Sequence, residues 1–445
     1  MDKKLFGTSG IRGDAVALFT QQFCFDLGRT FSKFLDKHNF KGPVAIGMDP
    51  RGSSPRIKEG VVDGLSFEGR EIFDEGATSV PSMCYLLQID ENYAGSIMIS
   101  GSHIKDYLNG IKFFAFKGEI LKEHEARIEE IYSSIKGKVK AVKSNIDSQN
   151  ENRAKEEYKE MLRGLAKQNY PSWRVVVDAG DGAQSDTIPE VLRSFGIDVI
   201  EENCTIQGTF IARDTENPDE FVSLSKKVVE TKSDFGIAFD SDGDRVVFVD
   251  KLGNFIPGEY TACIIAEEFS GDTIVTTIGS SQIVDHIGKK VIRTKVGSPY
   301  VIEEMKNTNI KLGFEANGGV ISGEVMYTRD GGVTTIKVLN SLVKSGKTLE
   351  STMAEFPKFY LVKTKIDYKW ELKDKILNSA KETFKGIKVD ETDGLKIWQD
   401  EKTWILFRSS MNAPEFRVFA ESETKEKSDK LIEGGLALVK KIANE

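Results

Sequence analysis

Three carboxylates at alternate positions stand out in Asp240-Ser241-Asp242-Gly243-Asp244-Arg245. Left unpaired at that spacing, Asp240, Asp242 and Asp244 repel one another. A hard divalent cation relieves the repulsion. Magnesium, which takes oxygen ligands in an octahedral shell, suits a set that leaves room for a phosphate oxygen. The spacing comes close to a calcium loop of the type D-x-D-x-D-G but fails that test. Arg245 stands at the sixth position in place of glycine, and Lys251 at the twelfth in place of glutamate. The bland alternative is a solvated acidic turn, and the apolar run Phe235-Gly236-Ile237-Ala238-Phe239 before it counts against that.

Three further segments have chemistry-bearing types. Ser100-Gly101-Ser102-His103-Ile104-Lys105 follows the apolar run Ser96 to Ile99. A serine just past a parallel strand sits where ligand sites of α/β folds lie. Its hydroxyl is a poor nucleophile unless it is deprotonated or already carries the group to be transferred. His103 and Lys112 can supply a proton acceptor or positive charge. A plain Ser-Gly turn with a solvated histidine reads the segment equally well. Arg408-Ser409-Ser410-Met411-Asn412-Ala413-Pro414, with Arg417 beyond, offers two guanidinium groups with interspersed hydroxyl and amide donors. Such a set holds a phosphate by charge-assisted bonds, unless it is a surface turn. In Gly313-Phe314-Glu315-Ala316-Asn317-Gly318-Gly319, Glu315 and Asn317 can bond sugar hydroxyls while the glycines let the backbone approach. By itself the segment is also an ordinary glycine-rich turn. Ser345-Gly346-Lys347-Thr348 resembles the end of a P-loop only superficially, because Ser341 occupies the place of the required first glycine.

The elements that must position these segments alternate in type. Val44 to Met48, Ser96 to Ile99, Arg174 to Asp178, Phe235 to Phe239 and Thr273 to Thr277 read as buried strands. Gln21 to Asp36, Glu125 to Ile135, Ala154 to Gln168 and Ser185 to Phe195 read as helices. Strand–helix alternation implies α/β units on mainly parallel sheets. A strand followed by a short polar loop recurs at Asp49, at Asp178 to Gly182 and at Asp240 to Asp244, which hints at repeated units without a strict repeat. The lysine-rich strip Lys136 to Arg153 reads as a linker, and Lys251 to Asn254 as a turn before a third unit. The last ninety or so residues carry a strand at Tyr360 to Ile366, a helix, two more strands and a closing helix from Glu423 to Ala443, the order of a small α+β domain.

Bulk properties fit that frame. The chain has 445 residues, 39% hydrophobic and 29% charged, which suits a globular protein of several domains. A formal net charge of -8 argues against a general nucleic-acid binder. Cys24, Cys84, Cys204 and Cys263 contain no C-x-x-C pair, so a disulfide scaffold or zinc cluster is not expected and a cytoplasmic location is. The start, Met1 to Gly7, lacks an apolar signal core. No run approaches the roughly 18 apolar residues of a membrane span, so no membrane partner is expected.

Taken together and in this order, the segments resemble the α-D-phosphohexomutase family. Phe6-Gly7-Thr8-Ser9-Gly10-Ile11-Arg12-Gly13 is similar to that family's first motif. Ser102-His103 resembles its phosphoserine loop, and Asn109-Gly110-Ile111-Lys112 the ending of that loop. Asp240 to Arg245 resembles its magnesium loop, Glu315 and Asn317 its sugar-recognition loop, and Arg408 to Arg417 its phosphate-binding loop. Ile104-Lys105 and Met411-Asn412-Ala413 depart from the usual patterns S-H-N-P and S-G-T-E-P, and Ser298 replaces a histidine of some bacterial members.

The resemblance implies a fold and a chemistry. The fold is α/β, with four domains around a central cleft: three α/β mixed-sheet domains (1–145, 146–250 and 251–357) plus a smaller C-terminal α+β domain (358–445). The implied activity interconverts hexose 1-phosphate and hexose 6-phosphate, most simply of mannose or glucose, through phosphoserine and a bisphosphorylated sugar. A phosphoglucosamine mutase is the nearest alternative, and a non-catalytic sugar-phosphate binder the alternative of another class. Mg2+ would sit on Ser102, Asp240, Asp242 and Asp244, and hexose 1,6-bisphosphate would serve as activator and intermediate. Ser102, Arg12, His103, Lys112 and Arg245 would carry the chemistry. Lys295, Gly297, Glu315, Asn317, Arg408, Ser410, Asn412 and Arg417 would bind the substrate. Monomer and dimer both remain open.

Overall fold

Four sheets follow one another along the chain, each with its own helices. This architecture comes from a computed structural model that describes residues 4–7, 9–144, 149–167, 169–410 and 415–443. The first three sheets are mixed, and the fourth is antiparallel throughout. In the first, Val44–Met48 lies parallel to both Ile72–Ala77 and Gly95–Ile99, and Leu108–Ala115 runs back beside Gly95–Ile99. In the second, Phe235–Phe239 is parallel to Arg174–Asp178 and antiparallel to Val246–Asp250. In the third, Thr273–Thr277 is parallel to Leu312–Phe314, which turns back into Val320–Ser322. The fourth pairs Tyr360–Asp367 with Glu415–Ser422, and that strand with Thr403–Ser409.

One topological feature repeats in all four. A strand ends, a short loop follows, and the chain returns antiparallel beside it. Three of the loops so made are 100–107, 240–245 and 315–319, and the fourth hairpin pairs Thr403–Ser409 with Glu415–Ser422; each hairpin carries one of the segments with chemistry-bearing residues. The repetition therefore lies in hairpins, and only one of the three polar loops singled out from the sequence, Asp240 to Asp244, belongs to it. The loops at Asp49 and Asp178 instead lead from a strand toward a helix.

Local chemistry explains the supporting helices. Gln21–Lys37 starts on the Thr20 hydroxyl, which accepts from the Phe23 N–H, and Val80–Ile89 starts on Ser79 in the same way. Gly331–Ser345 is capped by Asp330 and ends on Gly346 at φ 66°, so the apparent P-loop residues are a helix stop followed by the Thr348 cap of the next helix. The expected helix Ser185 to Phe195 shortens to Ile188–Ser194, because Pro189 fits only its first turn.

Three expectations shift. The short strand Gln149–Asn150 adds to the edge of the first sheet beside Ile72–Ala77, so that sheet extends past residue 145. Phe255–Ile256 likewise pairs with Val246–Asp250, extending the second sheet past residue 250. After its first helix the last domain has four strands rather than two, since Lys388–Asp390 and Leu395–Asp400 form a hairpin of their own before the last pair.

One apolar core runs through the first three units, beside smaller cores of their own. It includes Ala45, Leu86 and Phe114 of the first, Tyr158, Val177 and Phe239 of the second, and Ile264, Phe314 and Leu339 of the third. The fourth has its own core around Ile397, Phe407, Phe416 and Ile432. It is joined to the third by a small cluster of Ile278, Trp404 and Leu406, and by buried Glu421, which accepts from Ser281 Oγ, Gln282 N and Trp404 Nε1. Shared cores fix the relative positions of the four hairpin loops.

Candidate active site

The loop from Ser100 to Tyr107 is held against the acidic loop of the second unit. Ser102 is fully buried and adopts φ 55°, a left-handed conformation that costs a non-glycine residue about 1–2 kcal/mol. Its hydroxyl donates to Asp240 Oδ2 at 2.7 Å and lies 3.4 Å from His103 Nδ1. Its N–H donates to Ser100 Oγ, and its carbonyl accepts from Ser241 Oγ and from Arg51. Ser100 Oγ stands 2.8 Å from Asp49 Oδ2 and 2.9 Å from Asp242 Oδ2, linking the two loops again.

The acidic loop is wedged between helix starts on either side. The Val80 N–H donates to the Asp242 carbonyl, and the Gly331 N–H to the Gly243 carbonyl. Gly243 takes φ 69°, and a side chain there would collide with Gln184. The turn therefore buries three carboxylates in one place, with oxygens of Asp240, Asp242 and Asp244 within 4.8 Å of one another. Their outer oxygens are taken. Lys112 Nζ lies 2.7 Å from Asp242 Oδ2 and 3.1 Å from Asp244 Oδ2, and Arg329 reaches Asp244 Oδ2 at 2.6 Å. The remaining oxygens, Asp242 Oδ1 and Asp244 Oδ1, are buried with no hydrogen-bond partner.

The electrostatics follow from this packing. Burial, with Asp242 and Asp244 alongside, pushes Asp240 up to about 8. Burial works in the same sense on Asp244, but Arg329, Lys112 and Arg245 overcome it and hold that carboxyl well below the usual range. Burial opposes the charge on Lys112, yet Asp242 and Asp244 raise its pKa on balance. Burial and the neighbouring Arg245 and Arg12 push His103 well below its ordinary value, which favours the neutral imidazole. Burial, then Arg245, lowers Arg12 to about 10, and its buried Nε has no partner. Arg245 Nε stands 3.9 Å from Asp240 and 3.7 Å from Asp244. Two orphaned buried oxygens beside a serine hydroxyl, ringed by cations, fit a divalent metal with hard oxygen ligands.

The third-unit loop meets strands of the fourth unit at a second place. Glu315, Ala316, Asn317, Glu216, Lys363 and Arg417 help line a solvent-open cleft with about 350 Å³ of empty space. Glu315 connects to the acidic loop through Arg329, which donates to both Glu315 and Asp244. The close approach depends on Gly318 at φ 81°, where a Cβ would meet the Val246 carbonyl at 2.2 Å. Arg408 and Arg417 sit directly opposite each other on paired strands. Arg408 donates to Asp393 Oδ2 at 2.6 Å, and the same oxygen accepts from the Val296 N–H of the third unit. Arg417 has a buried Nε without partner, and burial, then Arg408, lowers its pKa. Like charges in register across a ladder are destabilising, and an anion between them reverses the sign.

Of the residues expected from sequence, Ser102, Arg12, His103, Lys112, Arg245 and the three aspartates come together at one point, while Glu315, Asn317 and Arg417 line the cleft. Arg408 is buried opposite Arg417, and Ser410 N donates to the Glu415 carbonyl in the same hairpin. Asn412 lies outside the described residues. Lys295 is exposed, its Nζ 5.9 Å from the Tyr300 ring, and Gly297 at φ 136° precedes the helix Ser298–Thr308. Sequence reasoning missed Arg329, Lys363, Glu216, Asp49, Arg51 and Ser241. Arg329 had one weak signal, a charged pair with Asp330 before two glycines at a helix start.

Hairpins from three α/β units and an α+β unit, an acidic triad against a buried serine and an arginine pair at a cleft together define a phosphoryl-transfer enzyme of the multidomain sugar-phosphate kind. Residues 3–138, 156–253 and 257–360 match the sequence families described as phosphoglucomutase/phosphomannomutase, alpha/beta/alpha domains I, II and III. The chain belongs to the phosphoglucomutase/phosphomannomutase family. It is 34% identical to a phosphoglucomutase/phosphomannomutase of Thermococcus kodakarensis, over 98% of each chain. It is 32% identical to a phosphoglucosamine mutase of Caldanaerobacter subterraneus subsp. tengcongensis, over 94% of this chain and 95% of that one. The crystal structure of a phosphoglucomutase/phosphomannomutase family protein from Burkholderia thailandensis superposes with a TM-score of 0.85 at 21% identity, covering 99% and 98% of the two chains, and so shares the fold.

Proposed function

We propose that this protein is a magnesium-dependent phosphohexomutase that interconverts the 1- and 6-phosphates of mannose or glucose, with Ser102 as phosphoryl carrier. The observation that carries the reading is the Ser102 hydroxyl at 2.7 Å from Asp240, inside a triad in which Asp242 Oδ1 and Asp244 Oδ1 have no hydrogen-bond partner. Phosphorylated Ser102 gives its phosphoryl group to the free hydroxyl of a bound hexose phosphate. The Ser102 Oγ–P bond breaks, the sugar O–P bond forms, and a hexose 1,6-bisphosphate results. The sugar turns end for end, and Ser102 takes the other phosphate.

The roles follow from position. Asp240, Asp242 and Asp244, with an oxygen at Ser102, would hold Mg2+, which when bound supplies charge neutralisation for the transferring group. Lys112, Arg12 and Arg245 surround the transfer point with fixed positive charge. Neutral His103, beside Ser102, is the group placed to accept the proton of the attacking hydroxyl. Arg408, Ser410, Asn412 and Arg417 would hold the distant phosphate, with Lys295 and Gly297 at its edge. Glu315 and Asn317 would bond hydroxyls common to both sugar orientations. The domain division 1–145, 146–250, 251–357 and 358–445, adjusted for the edge strands Gln149–Asn150 and Phe255–Ile256, is the matching assignment. No helix among the described residues is long and apolar enough to cross a membrane, and free thiols at Cys24, Cys84, Cys204 and Cys263 favour a reducing compartment such as the cytoplasm.

Coupled assays with mannose, glucose and glucosamine 1-phosphates test the reading. Turnover of mannose or glucose phosphate is expected. Turnover of glucosamine phosphate alone would favour the second reading, phosphoglucosamine mutase, which the 32% identical relative supports. No turnover of any of the three would remove both.

A further inference from the structure

We infer that Arg51 is the positioning residue that holds Ser102 in its strained, transfer-ready conformation, and that Phe210 of the second domain clamps Arg51 in place. The inference rests on Ser102 as the phosphoryl carrier. Arg51 has 1% of its surface exposed. Its donors are spent on the serine loop. One terminal nitrogen donates to the Ser102 carbonyl, the other to the carbonyls of Lys105 at 2.9 Å and Leu108 at 3.0 Å. Nε donates to Asp49 Oδ2 at 3.0 Å. One planar group thus gathers three carbonyls from residues 102 to 108 and ties them to a buried carboxylate.

Three independent features fit that role. Gly101 is required, because a Cβ there would stand 2.8 Å from the Arg51 guanidinium carbon. Ser102 takes a left-handed φ that a free loop would relax. Asp49, which Arg51 fixes, also accepts from Ser54, Ser100 and Ser241, and Ser100 reaches on to Asp242. Arg51 therefore sets the serine loop and the acidic loop through one shared carboxylate. The outer face of its guanidinium is covered by Phe210, whose ring centroid lies 3.9 Å from the guanidinium carbon. Phe210 belongs to a loop of the second domain that also sends Thr215 to the Asn317 carbonyl and Glu216 to Lys363. The clamp on the serine loop and the walls of the sugar cleft are parts of one segment.

Lysine keeps the charge but offers one nitrogen, so it cannot span three carbonyls and Asp49. Arg51→Lys is expected to lower kcat by about 10²-fold, the cost of a misplacement of about 1 Å in a reacting group. KM should stay within about twofold, because ground-state binding is untouched. Should that variant fold poorly, Phe210→Ala removes only the stacked ring from a half-buried position. It should lower kcat several-fold at unchanged KM and melting temperature, and Phe210→Tyr should restore it. The assay is single-turnover phosphorylation of Ser102 by glucose 1,6-bisphosphate in the Mg2+-loaded full chain, read by mass spectrometry alongside steady-state kinetics. A rise in KM with kcat intact, or wild-type rates in folded Arg51→Lys and Phe210→Ala, would overturn the inference and leave the proposed function standing. A wild-type protein that never acquires phosphate on Ser102 would overturn both.

Discussion

The Ser102 hydroxyl, on one domain, donates to Asp240 Oδ2 on the next at 2.7 Å, so the proposed phosphoryl carrier and the acidic loop meet only because two domains share a core. Replacing Ser102 by Ala deletes the proposed carrier and its hydrogen bond to Asp240. The fold should survive, with a stability change of about 1 kcal/mol. Mutase turnover should vanish. A well-folded Ser102→Ala protein with activity near wild type would end the phosphoserine mechanism.

Much of this arrangement was legible beforehand because it is local. Strands such as Val44–Met48 and Phe235–Phe239 announce themselves by apolar runs, and Asp240, Asp242 and Asp244 share one short loop. What stayed hidden is long-range. Arg329 joins Asp244 to Glu315 from a stretch 85 residues after one and 14 after the other, and no spacing rule predicts such a bridge. Arg51 was hidden for a different reason. Its partners are mostly backbone carbonyls, which leave no trace in side-chain types. The strand Gln149–Asn150 was missed because two residues are too few to show a period.

Asp242 Oδ1 and Asp244 Oδ1 predict how the protein responds to metal. Mg2+ should raise the melting temperature, since binding to the folded state alone adds about 2.7 kcal/mol at a hundredfold excess over Kd. Asp242→Asn removes one anionic ligand and should shrink both that shift and the rate. Ca2+ should bind and stabilise but support turnover poorly, because its looser shell positions phosphate less well. Full activity after exhaustive chelation would show that the acidic loop has another purpose.

Glu125 sets a pH dependence of stability. Burial pushes its carboxyl from 4.5 up to about 7, despite Lys122 at 2.8 Å. A folded pKa above the unfolded value means that the folded state binds more protons between those limits. Stability therefore falls as pH rises from about 4.5 to about 7 and is level beyond, a loss on the order of 3 kcal/mol from this group. Glu125→Gln should flatten that part of the profile. Urea melts at pH 5 and pH 8 check it: the variant should gain on wild type at pH 8 relative to pH 5, and an equal difference at both would refute the assignment.

Arg408 and Arg417 face each other across paired strands, and their repulsion makes a prediction that activity alone could not. Without ligand the pair is a liability, since like charges directly opposite cost roughly 0.2–1 kcal/mol. Asp393 offsets the charge of Arg408, while Glu415 stands 3.7 Å from Arg417 and leaves its Nε unpartnered. An anion that bonds both guanidinium groups turns the same geometry into an attraction. Arg417→Ala should therefore leave the ligand-free protein as stable as wild type or slightly more so. It should also raise the apparent KM for sugar phosphate about 10- to 100-fold, the loss of a charge-assisted hydrogen bond worth about 1.5–3 kcal/mol. Inorganic phosphate is the cleanest probe, because it needs neither metal nor sugar. Millimolar phosphate should raise the melting temperature of wild type and do so much less for Arg417→Ala, while chloride at the same ionic strength should separate the two little. If Arg417 were only a surface arginine, the variant and wild type would respond to phosphate alike and KM would not move.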